Sequence, residues 1–267
     1  MCATCGCSGT APDLGHSHAH EGRPHGHSPE HGPDRAPSHG TIIRLEQAVL
    51  AKNDRLAERN RGWLEGRNIL AVNLVSAPGA GKTTLLERTI RDLAGEFSFH
   101  VIEGDQATDH DARRIRAAGC PVIQINTGTG CHLDAEMVAR ALRQLDPPAG
   151  SVVFIENVGN LVCPALFDLG ERAKVLVASV AEGDDKPAKY PHMFRASTVL
   201  LLNKIDLLPH VRFDVGRCLD AARQVNAGLR VFEVSATRGD GLEQWYGWLR
   251  EQAARGLHIR IDEGISP

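Results

Sequence analysis

The sequence predicts an α/β fold: a doubly wound domain on a mainly parallel sheet, preceded by a disordered, His-rich N-terminal tail. Three observations lead there. Seven short apolar runs alternate with helical patterns from about residue 67 onward. The runs are continuously apolar, which requires burial on both faces and therefore helices covering a parallel sheet. The first 40 residues hold no aromatic residue, and between Cys7 and Thr41 the only large aliphatic is Leu14. Such a segment cannot bury enough apolar surface to offset the entropy of ordering it.

Composition narrows the function classes. The 267 residues carry 30 Lys plus Arg against 33 Asp plus Glu, a formal charge of -3, so no basic excess is available to track a phosphate backbone. No nucleic-acid partner is expected. No apolar run approaches the roughly 18–20 residues that a membrane helix needs, and the N-terminus has no charged-then-apolar leader pattern. The expectation is a soluble cytoplasmic protein without membrane contact, whose thiols serve metal or redox chemistry rather than disulfides.

Residues 1–40 form the tail. Three of the seven Cys and seven of the 13 His lie in it. Cys2, Cys5 and Cys7 place three thiols within six residues, and removal of Met1 would add the α-amine as a fourth donor. That set satisfies square-planar nickel; tetrahedral zinc and a redox pair are the alternatives. His16, His18, His20, His25, His27 and His31 alternate with Gly, Pro, Ser and acids, the composition of a weak, multi-ion metal store. Its four acids (Asp13, Glu21, Glu30, Asp34) outnumber its two bases (Arg23, Arg35), which suits a cation store. Residues 41–66 follow as an amphipathic helix with Ile42, Leu45, Val49, Leu56 and Trp63 on one face, ending near Gly66. Residues 67–267 are the α/β domain.

The first strand of that domain, NILAVNLVSA, leads into Ser76-Ala77-Pro78-Gly79-Ala80-Gly81-Lys82-Thr83-Thr84, which opens a helix. This is the setting of a phosphate loop: amides and the helix N-terminus face the phosphates, Lys82 reaches the β and γ oxygens, and the Thr83 hydroxyl binds magnesium. Ser76 replaces the usual first Gly of the pattern. After the second strand, FSFHVIEG, Asp105 is placed to add a magnesium contact in a first switch; a turn aspartate is the alternative. Glu156 ends the strand SVVFIE, where an acid faces magnesium through water, and Gly159 lets an amide approach the γ-phosphate. Asn160 stands where a Gln would position the attacking water, so intrinsic hydrolysis should be slow.

Asn203-Lys204-Ile205-Asp206 follows the strand STVLLLN and has the form of a guanine reader. The Asp carboxylate accepts from the ring NH and exocyclic amine of guanine; adenine would leave it unpaired. Ser235-Ala236-Thr237, after the last strand, matches the second guanine-side loop. The domain therefore reads as a P-loop GTPase with GTP, GDP and Mg2+ as ligands. Cys131 and His132 stand just before the helical pattern LDAEMVARAL, and Cys163 lies four residues beyond Gly159. Together they offer three soft or borderline donors to nickel or zinc, with water or a second subunit completing the shell. Because Cys163 follows the second switch, a γ-phosphate pulling on Gly159 could move a metal ligand. Cys120 and Cys218 read as buried small hydrophobes; His110 is a weak extra candidate; His100, His192, His210 and His258 read as structural or solvent-facing.

The terminal CxxCGC, the His-rich tail, APGAGKTTLL, TGTGCHLDA, ENVGNLVCPA, EGDDKPAKYPHMF and NKIDLLP together resemble the HypB family of GTPases that help insert nickel into nickel–iron hydrogenase. The resemblance covers nearly the whole chain. It implies weak GTPase activity, a G domain that dimerises around nucleotide, and a high-affinity nickel site at Cys2, Cys5 and Cys7. It further implies a second nickel or zinc site at Cys131, His132 and Cys163 near the dimer interface. The implied partners are a second copy of the chain, a HypA-type metallochaperone, the hydrogenase large-subunit precursor and, in some bacteria, a metal-binding prolyl isomerase. The segment around Lys186 resembles the loop that reaches the other subunit's nucleotide; an ordinary solvated lysine is the alternative. Leu207, Leu208 and Val211 are candidate dimer-face residues. Two other functions compete: a nickel or zinc storage protein with a non-essential G domain, and a urease-type nickel-insertion GTPase. The latter family typically carries Cys-Pro-His, whereas here His132 directly follows Cys131 and Ala165 follows Cys163-Pro164.

Overall fold

The computed structural model describes residues 39–106 and 109–258, with side chains from Gln47 to Arg255. The predicted ligands at Cys2, Cys5, Cys7, His16, His18, His20, His25, His27 and His31 lie outside the described residues. The sheet and its ligand-binding edge belong to a compact unit that begins at Leu50.

Seven parallel strands form one sheet: β1 (Leu70–Ser76), β2 (Phe99–Asp105), β3 (Val122–Asn126), β4 (Val152–Glu156), β5 (Ala173–Ser179), β6 (Val199–Asn203) and β7 (Arg230–Glu233). Their order is β3-β2-β4-β1-β5-β6-β7, every pairing being parallel. All residues of β1, β4, β5 and β6 are buried, the state that their unbroken apolar character demands. β1, central in the sheet, delivers the phosphate loop to the carboxyl edge, where parallel sheets bind ligands.

Side chains alternate across the sheet and feed separate apolar clusters. Leu70, Val72 and Leu74 of β1 join Val101 and Phe154 under α2 (Lys82–Asp92), α3 (His110–Ala117) and α9 (Leu242–His258). On the other face, Ala71 and Ile155 pack with Leu64 of helix α1 (His39–Gly66) and Val138 of α4 (Ala135–Leu145). Val75 and Leu202 pack with Met193 and Phe194 of α7 (Pro191–Ala196) and Leu219 of α8 (Val215–Val225). Two one-turn helices, α5 (Cys163–Leu166) and α6 (Lys186–Lys189), and a 3-10 turn over Ile205–His210 complete this layer.

Of the apolar stripe predicted for α1, the side chains of Ile42 and Leu45 lie outside the described residues, and the remainder is displaced. Val49 is 49% exposed and Leu56 and Trp63 are half-buried, while the buried seam is Asn53, Ala57, Asn60 and Leu64. The reason is polar. Asn53 Nδ2 donates to Asp168 O at 2.8 Å while its Oδ1 accepts from Ala135 N at 2.9 Å. Asn60 Nδ2 donates to Ala135 O at 2.8 Å and to Leu169 O at 3.0 Å. The helix thus turns its amides, not its largest hydrophobics, onto the loops that it covers. Trp63 is left at the flank under the Arg67 guanidinium, 4.3 Å from its ring centre.

Candidate functional site

The phosphate loop, the ends of β2 and β4, and the loop after β4 enclose a cleft of about 550 Å3. Gly79, Gly81, Lys82, Thr83, Thr84, Asp105, Glu156, Gly159 and Lys204 of the predicted set line it, together with Gln106, Asp111 and Arg114, which sequence reasoning missed. Gly81 precedes α2 at φ +98, and a Cβ there would stand 2.6 Å from Asn203 Nδ2, so glycine alone fits. A Cβ on Gly159 would meet Pro78 Cα at 3.1 Å, so the loop after β4 lies against the phosphate loop. The Ser76 departure has a local explanation: its fully buried hydroxyl accepts from Lys82 Nζ at 2.8 Å and donates to Ala77 O at 2.6 Å.

Charge is concentrated below the loop. Glu103 and Glu156 are cross-strand partners on β2 and β4, both essentially buried. Thr83 Oγ1 donates to Glu156 Oε1 at 2.7 Å, while Oε2 of both Glu156 and Glu103 is buried without a hydrogen-bond partner. Burial pushes the Glu103 carboxyl up to about 8, helped by the nearby Glu156 and Asp105. Burial also raises Glu156, against the pull of Lys82 and the Thr83 hydroxyl. It lowers the Lys82 ammonium, which Glu156 and Asp111 support in charged form. The orphaned Glu156 oxygen beside the Thr83 hydroxyl, with Asp105 at the same cleft, is a donor set that suits a hard divalent cation such as magnesium. Glu103 has a sequence signal of its own: two residues before Asp105 on one strand, it shares that residue's face.

The predicted purine side is assembled from two loops. Asn203 Nδ2 donates to Ala80 O at 2.9 Å and its Oδ1 accepts from Ala236 N at 3.1 Å, so this side chain ties the phosphate loop to the 235–237 loop. Lys204, at φ +62, reaches back to Gly79 O at 2.7 Å. Asp206 Oδ1 accepts from Ser235 Oγ at 2.6 Å, and Thr237 Oγ1 lies 3.2 Å from the same hydroxyl. Lys186 is not brought to this cleft: it pairs with Glu182 at 3.1 Å and lies near the Tyr190 ring. Leu207, Leu208 and Val211 are partly buried against the apolar cluster beneath them.

Cys131, His132 and Cys163 come together, their ligand atoms all within 4.8 Å of one another. The two sulfurs are 3.2 Å apart, and Cys131 Sγ is 3.7 Å from His132 Nδ1. The His132 ring packs on Phe167 at 4.1 Å, and burial lowers its basicity, favouring the neutral, ligating imidazole. Val162 and Leu166, flanking Cys163, are exposed. Cys120 and Cys218 are buried elsewhere, their thiols pushed up to about 12 and about 11. His110 is exposed and His100 is buried. Among the described residues no helix is long and apolar enough to cross a membrane.

A family model for the CobW/HypB/UreG nucleotide-binding domain matches residues 70–233. The hydrogenase maturation factor HypB of Azotobacter vinelandii is 55% identical over 235 residues, 86% of this chain and 78% of that protein. Its counterpart in Escherichia coli K12 is 52% identical over 245 residues, 91% and 84% of the two chains. Among solved structures, HypB of Archaeoglobus fulgidus is 39% identical with a TM-score of 0.71, covering 76% of this chain and 99% of that one. HypB of Helicobacter pylori, crystallised with nickel, is 35% identical with a TM-score of 0.72, covering 76% and 96%. The phosphate loop, the seven-stranded parallel sheet and these extensive likenesses agree: the chain belongs to the HypB family of hydrogenase maturation factors.

Proposed function

We propose that this chain is a cytoplasmic GTPase metallochaperone that gates nickel delivery during nickel–iron hydrogenase maturation, with its His-rich tail as a nickel store. The observation that carries the reading is the proximity in sequence of Gly159, packed on the phosphate loop, and Cys163, packed on Cys131. One loop therefore touches both the nucleotide cleft and the metal donors. Cys131, His132 and Cys163 suit nickel as cargo, and zinc as a competitor for the same donors. Cys2, Cys5 and Cys7 form the terminal chelate.

Lys82 turns from Ser76 to the β and γ oxygens of GTP, and Asp206, with Asn203 and Lys204, selects guanine. Thr83 and Asp105, with Glu156 behind them, would hold magnesium, which neutralises charge on the phosphates when bound. Water attacks the γ-phosphorus and GDP leaves with the bridging oxygen. Asn160 does not position that water: its Nδ2 donates to Cys131 O at 3.2 Å and its Oδ1 accepts from Val162 N at 2.9 Å. Hydrolysis is accordingly slow. The exposed Val162 and Leu166 beside Cys163 suit coverage by a second copy of the chain, whose Lys186 would reach across to the nucleotide. A HypA-type metallochaperone and the hydrogenase large-subunit precursor are the proposed donor and recipient partners.

The test is hydrogenase maturation in cells. Lys82→Ala should abolish it even with added nickel, whereas deletion of residues 1–40 should be partly rescued by nickel. Maturation that survives Lys82→Ala but is lost with the tail would make the chain a storage protein with a non-essential G domain.

A further inference from the structure

We infer that Asn157 and Asn160 are positioning residues that transmit the state of the phosphate-facing loop to the metal donors. This rests on the proposed nucleotide gating of nickel. Asn157 follows β4 directly, is 2% exposed, and does not line the nucleotide cleft. Its Oδ1 accepts two backbone amides from different segments: Val158 N at 3.0 Å, next to Gly159, and Leu133 N at 3.1 Å, next to His132. Asn160, on the other side of Gly159, donates to Cys131 O at 3.2 Å. The two asparagines therefore bracket the glycine that meets the phosphate loop, and both hold the segment that carries Cys131 and His132.

The Cys163 side meets Asn160 only through the adjacent Val162 N, at 2.9 Å from its Oδ1, and is otherwise held from the sheet. Lys174 of β5, buried, donates its ammonium to Pro164 O at 2.7 Å and Phe167 O at 3.1 Å. Glu171 lies 3.8 Å from that ammonium, and its Oε2 accepts from Leu169 N at 2.7 Å. Its Oε1 accepts from Asn73 Nδ2 at 3.0 Å in the middle of the central strand. Asn73 Oδ1 in turn receives Asn157 Nδ2, at a longer 3.4 Å. Cys163 is thus referenced to the sheet, whereas Cys131 and His132 are referenced to the loop. Downstream, Ala135 is fixed to Asn53 and Asn60 of α1.

The consequence is mechanical. A γ-phosphate that draws in Gly159 must lengthen one of the two bonds to Asn157 Oδ1 or drag Leu133 with it, and it shifts the Cys131 carbonyl through Asn160. Either response changes the spacing of Cys131 and His132 relative to an anchored Cys163. These two side chains bond across the boundary between the two sites.

The experiment uses the full chain with Cys2, Cys5 and Cys7 replaced by Ser, so that the thiolate-to-nickel charge-transfer band reports only the body site. Nickel is titrated with GDP and with a non-hydrolysable GTP analogue, in this parent and in its Asn157→Ala and Asn160→Ala variants. The parent should show at least about a fivefold difference in nickel affinity between the two nucleotides, and each variant less than about twofold, with GDP binding retained. Asn160→Ala, half-buried, keeps the test valid if Asn157→Ala does not fold. Variants that lose nickel affinity equally with both nucleotides, so that the parent's ratio persists, would overturn the positioning role and leave nucleotide gating standing. A ratio near one in the parent would instead defeat the gating reading itself, and this inference with it.

Discussion

Ser76 and Gly81 show how single residues decide whether a phosphate loop can form. Ser76 gives up the flexibility of a glycine and supplies an acceptor that parks Lys82 at 2.8 Å, within reach of the cleft. Gly81 cannot be exchanged in the same way, because its backbone is left-handed and the space above it holds the Asn203 amide. Any side chain there incurs about 1–2 kcal/mol for the left-handed conformation, before the clash is counted. Gly81→Ala should therefore weaken binding of a guanine nucleotide by about tenfold or more while leaving far-UV circular dichroism unchanged. Unaltered GDP affinity by calorimetry would show that the loop adapts. Motif residues of this kind were legible because their chemistry demands a fixed spacing. Asp111 and Arg114 were not, because only the packing of α3 brings them to the cleft; Glu103 shares the face of Asp105, but only the pairing of β2 with β4 sets it beside Glu156.

At the scale of elements, unbroken apolar runs located the strands; the expected burial on both faces holds for β1, β4, β5 and β6 but not for the edge strands β3 and β7, which have a neighbour on one side only and are mostly half-buried or exposed. The seven runs correspond to the seven strands, and β1 ends in the loop that the motif predicted. Helix α1 was legible as a helix but not in its facing. Hydrophobic periodicity assumes that the buried seam is apolar, and here two asparagines occupy it to satisfy backbone groups of loops far along the chain. Asn60→Ala would leave the carbonyls of Ala135 and Leu169 without this donor in a buried setting. The expected loss is about 1–3 kcal/mol, read as a lower midpoint in urea with an unchanged slope. Leu56→Ala, at the half-buried flank, should cost less; the reverse ranking would restore the apolar stripe as the packing face.

For the whole molecule, the arrangement of apolar clusters matters as much as the loops. Asn73 and Lys174, register partners on β1 and β5, break the apolar face between the cluster under α1 and α4 and the cluster under α7 and α8. Burying that lysine is costly, and the loss of hydration lowers its basicity against the attraction of Glu171. Buried ion pairs seldom stabilise more than a well-packed apolar substitute, so this one is better explained by the defined position it gives the Cys163 segment. If nucleotide and metal share such a framework, linkage makes the coupling reciprocal. Whatever factor separates nickel affinity in the GDP and GTP-analogue states must also separate the preference for the two nucleotides with and without nickel. In the chain with Cys2, Cys5 and Cys7 replaced by Ser, the two ratios should agree within error. Removing the metal with a chelator should return the nucleotide preference to its metal-free value. Ratios that differ would mean that the nickel altering nucleotide binding is not the nickel held by Cys131, His132 and Cys163, and would direct attention to the histidines of the tail.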